Sequence, residues 1–516
     1  MKTIWLYCLL LLTARGVQGQ FTVQRYYKAT GSATLTLHEL SSGNLFTGMA
    51  YQSGVSLMDS SGNILHSHCY GLLPFTVLQS VRKQADNEFR FVGGYLHDSC
   101  AAGGAQEVDP VIGKMDSLGN VLSMHHYQLN SVVCSNTAAD LAITSDAGAV
   151  VWGRDDSFFA LRVDQSGVPL WSKQFPHHGW FNFIKELPGG DMLLGFSMDS
   201  AGASLARLDP NGNFMWCKSY MRPMGRMHDA IMESDSSFII TGFTGSTPQK
   251  LFMMKLNGAG DVQWCRGYAN GMDAWASLYP SRIARTVDGK QVVLATLGKP
   301  VMPYFYRPFL MKTDQNGDTL WTRSVGAPGY VYYAINLLAS SDGGFYYDGG
   351  ADGDFGQWSS AAFLFKTDSL GHLPCHEHVH PIEVLDLFPV DSSFTLNAVE
   401  GAVAIETSNT EVTYDPIVVF DGCTFTTGLP PKPRSYRSMS VHPNPNAGHF
   451  TLTFKDPLQA ESYYSVYDAA GKLLYQRPLP TGKGTEEVDL SRYGKGTYVI
   501  KCTDKEGVYH ERVVVE

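Results

Sequence analysis

Phe309-Leu-Met-Lys-Thr-Asp-Gln-Asn-Gly-Asp-Thr-Leu-Trp321 carries the pattern that decides the fold. An apolar run ends at Asp314, Gly317 follows three residues later, and Trp321 stands four residues past the glycine. An Asp or Asn opening such a turn accepts backbone N–H bonds from two residues on, and a Gly supplies the positive φ that closes it. The spacing therefore predicts an antiparallel hairpin.

The same turn recurs as Asp59-Ser-Ser-Gly62, Asp116-Ser-Leu-Gly119, Asp164-Gln-Ser-Gly167, Asp209-Pro-Asn-Gly212, Asn257-Gly-Ala-Gly260 and Asp368-Ser-Leu-Gly371. From 59 to 368 the turns open at intervals of 57, 48, 45, 48, 57 and 54 residues, the length of a four-stranded propeller blade. Trp171, Trp216, Trp264 and Trp321 each follow a turn Gly by four residues, and Tyr70, Tyr127, Phe175, Tyr220 and Tyr268 follow one by eight. Even spacing places both rings on one strand face, where they fill the gap between neighbouring blades.

Two more strands precede each hairpin. Asp229–Glu233, Phe238–Gly242, Leu251–Lys255 and Val262–Cys265 form one complete meander. Seven such meanders fit between about residue 33 and residue 380, which predicts an all-β, seven-bladed β-propeller within residues 20–381. The outer strand of the last unit contains Pro374 and lacks the Trp. Phe21–Tyr27 is therefore expected to complete that blade and close the ring, leaving no long exposed sheet edge.

Composition agrees with this reading. Charged residues make up 17% of 516, and Gly 52, Tyr 26 and Phe 27 suit short strands and tight turns rather than charged helices. A net charge of -10 argues against a nucleic-acid partner, which requires a basic surface. Lys2, the apolar run Ile4–Leu12 and the small residues at Val17-Gln18-Gly19 predict a signal peptide over residues 1–19. No later run reaches about 18 apolar residues, so no transmembrane segment is expected. Beyond the leader stand eight cysteines, an even number that permits disulfides in an exported chain. Cys375 with Cys423, which flank a non-repeat segment, is one pairing this allows.

Residues 382–427 are strand-rich but lack the repeat, and read as a connecting segment that packs on the ring or forms a small spacer. Residues 428–438 read as a Pro-rich linker. Then come Val441-His-Pro-Asn-Pro-Asn-Ala-Gly448, Phe450-Thr-Leu-Thr-Phe454, Val466-Tyr-Asp-Ala-Ala-Gly471, Asp489–Ile500 and the terminal Arg512-Val-Val-Val515. In this order they resemble the type A C-terminal sorting domain of the type IX secretion (Por secretion) system of Bacteroidetes-like bacteria.

That resemblance covers residues 439–516 and rests on Pro443, Asn444, Pro445, Gly448, Tyr467, Asp468, Gly471, Gly496 and Tyr498. His442 replaces the usual aromatic before the first Pro. The resemblance implies a small immunoglobulin-like β-sandwich, passage through the periplasm, and secretion or anchoring at the outer-membrane surface. It also implies the type IX machinery as partner, and surface lipopolysaccharide after removal of the domain. The N-terminal repeat, for its part, is similar to tandem-repeat secreted bacterial propellers and to quinoprotein-type repeats, though no quinone site follows from the turn.

Chemistry is harder to place. A residue repeated at every turn serves the turn, and the cations two residues before it (Lys114, Arg162, Arg207, Lys255, Lys312 and Lys366) read as structural pairs. Three irregular loops carry aromatic residues: Trp275 and Tyr279, Tyr304 and Tyr306, and Trp358. Rings at a concave rim suit stacking on sugar faces or gripping a peptide; covering the bases of the loops is the plainer role.

Asp348, Asp352 and Asp354 offer oxygens to Ca²⁺ but lack the spacing and terminal Glu of a calcium loop. His376, His378 and His380 share one face of an extended segment, where adjacent ligands rarely close a tetrahedron around Zn²⁺ or Cu²⁺. No firm metal, cofactor or catalytic signature is present, and the leading expectation is a non-catalytic module for glycan or protein. The alternatives are an extracellular polysaccharide hydrolase or lyase, and a structural spacer of the envelope.

Overall fold

A computed structural model describes residues 22–421 and 439–516, except 28–33, 50–53, 71–74, 98–106, 130–136, 155–157, 176–178, 199–201, 222–223, 234–235, 246–248, 271–273, 276–280, 300–304, 328, 354–359, 397–398, 401–402, 408–411, 414–418, 455–461, 469–472, 483 and 504–507. The predicted signal peptide and the Pro-rich linker lie outside the described residues. The chain is all-β; among the described residues the one helical turn is Ser491–Tyr493. It divides into two units, one of residues 1–354 and 358–427, the other essentially residues 428–516.

The first unit consists of four-stranded antiparallel meanders of the kind that form propeller blades. They span residues 34–70, 75–129, 137–175, 179–221, 224–269 and 274–325, and a further one joins 331–367 to Val23–Tyr27. Successive first strands touch in a circuit: Thr34–Glu39, Phe75–Ala85, Thr137–Ile143, Gly179–Glu186, Met224–Met232, Arg282–Arg285, Val331–Ala339 and back to Thr34–Glu39. Second strands such as Phe238–Thr244 are buried at every residue, because neighbouring sheets cover both faces. Fourth strands such as Thr319–Val325 are more exposed over their first half.

Each of six first strands carries a register irregularity, between Thr34 and Thr36, Leu78 and Ser80, Ala138 and Asp140, Phe181 and Phe183, Met227 and Asp229, and Ala334 and Asn336. A glycine stands beside it on the second strand each time: Gly48, Gly93, Gly153, Gly195, Gly242 and Gly349. The reason is space. A Cβ on Gly242 would fall 1.9 Å from the Arg226 carbonyl oxygen, and one on Gly349 1.9 Å from that of Tyr333. A bulge pushes backbone toward its partner strand, and only a residue without a side chain accepts it.

The recurrent turns do more than reverse the chain. Asp209 Oδ1 accepts the amides of Asn211 and Asn213 at 2.9 and 2.8 Å, and Gly212 takes φ 79°. The ring of Trp171, from the preceding meander, lies directly over Gly212, where a Cβ would approach it to 3.0 Å. Tyr70, Tyr127, Tyr220 and Tyr268 each donate their hydroxyl to the carbonyl of the next meander's turn glycine, at 2.7 Å in every case. Phe175 occupies the same position without a hydroxyl.

Tyr27 makes the equivalent 2.7 Å bond to Gly62. Its strand, Val23–Tyr27, pairs antiparallel with Ser360–Thr367, so the N-terminal strand completes the last meander as its sequence implies. Five of the cations before the turns are paired as expected. Lys114 meets Glu88 (2.8 Å), Arg162 meets Asp146 (2.8 Å), Arg207 meets Asp191 (2.6 Å), Lys312 meets Asp288 (3.1 Å) and Lys366 meets Asp342 (2.7 Å).

The connecting segment is where the structure adds most. Instead of a spacer, it lays short antiparallel strands along the fourth strands of the meanders, in reverse order. Glu377–His378 pairs with Thr319–Val325, Glu383–Asp386 with Val262–Ala269, and Val390–Ser393 with Phe214–Met221. Val399–Glu400 then pairs with Pro169–Phe175, Val403–Thr407 with Val121–Leu129, Val412–Thr413 with Ile64–Tyr70, and Val419–Asp421 with Val23–Tyr27. This belt adds a fifth strand to each meander and makes one complete circuit. Belt side chains fill gaps between sheets: Leu396 is buried beside Cys217, and Leu387 packs where a Cβ on Gly267 would stand. Belt carboxylates face cations, with Glu377 on Arg323, Asp386 on Arg266 and Asp391 on Lys218.

The second unit has two sheets around one core. Met439–His442, His449–Phe454 and Thr485–Asp489 form one; Leu473–Leu479, Ser462–Asp468, Gly496–Thr503 and Val508–Val515 form the other. Leu452, Val466, Leu490, Ile500, Cys502 and Val513, all fully buried, sit between them.

Candidate functional site

Two regions of the first unit are distinct enough to serve as sites, and they lie at opposite ends of the inner strands. At the start of Val331–Ala339 the rings of Tyr330 and Tyr333 are half-buried, and Tyr306, also half-buried, faces Tyr333 with ring centroids 6.3 Å apart. Tyr333 donates its hydroxyl to Asp352 Oδ2 at 2.6 Å. Tyr306 stands opposite Gly298, and Trp275, in the short strand Ala274–Trp275, opposite the adjacent Leu297. Local pairing thus brings Trp275, Tyr306 and Asp352, each singled out in the sequence, to one end of two neighbouring meanders. Tyr279, Tyr304 and Trp358 lie outside the described residues.

At the other end, where first strands turn into second strands, a cavity of about 360 Å³ is lined by His38, Arg82, Lys83, Lys185, Glu186 and Ile143, among others. Its charges are committed within the protein. Arg82 pairs with Asp140 at 2.5 Å, Lys83 with Asp86 at 2.7 Å and Lys185 with Asp229 at 2.8 Å. Glu186 accepts the Ser145 amide at 2.8 Å. Burial lowers the pKa of His38 to about 4, so its imidazole is neutral at pH 7, with Nε2 2.7 Å from the Thr36 hydroxyl.

The metal candidates fall differently from the sequence expectation. Asp348 and Asp352 belong to the strand Phe345–Asp352 rather than to a loop. Asp348 is buried and accepts Asn336 Nδ2 at 2.9 Å, and Asp352 takes the Tyr333 hydroxyl. Asp354 lies outside the described residues. His378 pairs with Ser324 in the belt's first strand, and the backbone carbonyls of His376 and His380 accept from Gly326 N and the Thr322 hydroxyl. Among the described residues no group of three or more His, Cys, Asp or Glu side chains is arranged to hold a metal ion.

In the second unit the motif residues knit the last strand to the beginning of the unit. Asn444 Nδ2 donates to the Arg512 carbonyl at 2.7 Å, and its Oδ1 accepts the Val514 amide at 2.9 Å, as a strand backbone would. Pro443 O accepts Asn446 Nδ2 at 3.2 Å. Gly448 takes φ 98° with Ser491 backbone 2.8 Å from where a Cβ would stand. Tyr498 caps the Ser491–Tyr493 turn, donating to the carbonyls of Tyr493 and Gly494 at 2.9 and 2.8 Å. Tyr467 and Asp468 pair with Val499 and Tyr498, and Gly496 with Val515, while Gly471 lies outside the described residues.

Sequence reasoning missed Tyr330 and Tyr333, and it missed the cavity. Both tyrosines lie at a strand start rather than in a long irregular loop, and only the strand pairing shows that they meet Tyr306.

Residues 440–516 match the family model of the secretion system C-terminal sorting domain. The C-terminal unit is therefore a type IX secretion sorting domain, and it implies interaction with that machinery and export to the cell surface or outer membrane. Among the described residues no helix is long and apolar enough to cross a membrane. No curated protein matches the chain. Among solved structures, a protein of unknown function from Bacteroides caccae is 12% identical, with 58% of this chain and 94% of that one covered and a TM-score of 0.34. Prolyl oligopeptidase B from Galerina marginata is 9% identical, with 64% and 55% covered and a TM-score of 0.32. An engineered GH43 glycoside hydrolase with endo-xylanase and exo-arabinofuranosidase activity is 9% identical, with 75% and 91% covered and a TM-score of 0.25. Likeness at this level carries no argument about function.

Proposed function

We propose that the mature chain is a secreted or surface-anchored, non-catalytic seven-bladed β-propeller that binds glycan through the aromatic end of its last two blades. In this reading residues 1–19 are a signal peptide, 20–381 the propeller, 382–427 its belt, 428–438 a linker, and 439–516 an immunoglobulin-like sorting domain that is removed when the cargo is attached to lipopolysaccharide.

The observation that carries the binding reading is the half-buried pair Tyr306 and Tyr333, fixed by the bond from Tyr333 to Asp352. Rings held in this way offer flat apolar faces at little entropic cost, which suits stacking on sugar rings. The cavity at the opposite end supports a non-catalytic role, since its carboxylate Glu186 is engaged by a backbone amide and its cations sit in ion pairs.

A glycan array and a polysaccharide-depolymerisation screen on the full chain test the reading. Binding without turnover, weakened at least tenfold by Tyr306→Ala or Trp275→Ala, is the expected result. Release of new reducing ends or unsaturated sugars would establish a hydrolase or lyase instead.

A further inference from the structure

The bulged residue of each first strand fixes a common register around the ring. It is Asn182 in Gly179–Glu186, His228 in Met224–Met232 and Ile335 in Val331–Ala339. Two residues before it stand Trp180, Arg226 and Tyr333, so equivalent strands present these three side chains at one end of the ring. Trp180 is 49% exposed and Arg226 is exposed, while half-buried Tyr333 faces Tyr306 of the intervening meander. The equivalents in the second and third meanders are Val77 and Thr137, which carry no charge.

Arg226 lies with its guanidinium carbon 5.2 Å from the centroid of the Trp180 ring, on the neighbouring meander. Deeper along the same strands the cations are answered from within the protein. Lys185 pairs with Asp229 at 2.8 Å, and Arg282 donates to the His228 carbonyl oxygen at 3.3 Å. Arg226 pairs with no carboxylate among the described residues. Resting on the glycan-binding reading above, we propose that Arg226, held on the ring of Trp180, is a subsite for a carboxylated sugar. The ligand of this face is then a glycan that contains uronic acid.

The chemistry follows from the two side chains. An indole face attracts a guanidinium within about 6 Å and limits the orientations of its plane. A planar guanidinium offers parallel N–H groups that match the two oxygens of a carboxylate. Half the indole surface stays open to water, which leaves room for the apolar face of the same or the next sugar. Because the chain carries a net charge of -10, its overall field does not draw in a polyanion, and the preference for an acidic sugar falls to this local cation.

The test is titration of the full chain with oligogalacturonate and with glucuronan oligomers, each beside its carboxyl-reduced neutral counterpart. In at least one pair the acid should bind about tenfold more tightly than the reduced form, and Arg226→Gln should abolish that preference. Arg226 is exposed, so the variant should keep its Tm. Acids that bind no better than their reduced forms overturn the proposal, as does a preference that survives in folded Arg226→Gln. In either case the wider glycan reading stands if neutral glycans still bind, and it falls as well if no glycan of any kind binds. Should the variant not fold, the comparison of acid with reduced form on the unaltered chain still decides.

Discussion

The repeated meanders and the belt that surrounds them are both made of antiparallel strands, yet they are specified in different ways. Within a meander, each strand finds its partner a few residues away across a turn whose chemistry is spelled out locally, as Asp209 and Gly212 show. A belt strand finds its partner far off in the chain: Val419–Asp421 pairs with Val23–Tyr27. Its register comes from single anchors, such as Leu396 in the gap beside Cys217, and from carboxylates set against the cations two residues past Trp216, Trp264 and Trp321. Local rules build the sheets, and scattered contacts fasten the strap.

Substitutions sharpen this contrast, and the largest effect belongs to the meanders. Gly242→Ala drives a Cβ into the Arg226 carbonyl at 1.9 Å, and neither backbone has a flexible end with which to yield. Urea unfolding should show a loss of about 3–5 kcal/mol, or no folded protein, in keeping with severe backbone overpacking. A loss under 1 kcal/mol would mean that the bulge is not built as described.

The belt's strongest anchor comes next. Leu396→Ala empties a buried position and should cost about 2–4 kcal/mol; a neutral result would show that the belt does not seat there. Tyr220→Phe removes the hydroxyl from the Gly260 carbonyl and should cost about 1–2 kcal/mol by thermal unfolding. Phe175→Tyr, at a natural position without that hydroxyl, provides the opposite test and should be neutral or stabilising.

The smallest change is electrostatic. Asp386 pairs with Arg266 while remaining largely exposed, so Asp386→Asn should cost about 0.2–1 kcal/mol. That difference should shrink as salt rises, because exposed charges are screened. A salt-independent loss would point to packing instead of charge.

What the sequence reveals follows the same division. The Asp-x-x-Gly turns, the aromatic eight residues beyond them, the cation pairs and the closing strand Val23–Tyr27 are all legible, because each rests on a short spacing that repeats. The sorting domain is legible for a related reason: its motif residues, Asn444 above all, make specific backbone contacts that constrain their identity. The belt is not legible, since strands as short as Glu377–His378 carry no period and their partners occur in reverse order. A retrospective signal is the series of acids Glu377, Asp386 and Asp391, which meets the cations Arg323, Arg266 and Lys218 in reverse chain order. The aromatic site is half legible: Trp275 and Tyr306 stand out beside irregular loops, whereas Tyr330 and Tyr333 look like ordinary strand residues until pairing brings them together.

Hydrogen exchange of the intact chain tests the belt, on which the account of this fold turns, most directly. Amides in Glu383–Asp386, Val390–Ser393 and Val403–Thr407 should be protected to a degree comparable with the fourth strands they pair with. Uniformly fast exchange from residue 377 to residue 421, with the meanders still protected, would show that the ring stands without its strap and would contradict this account.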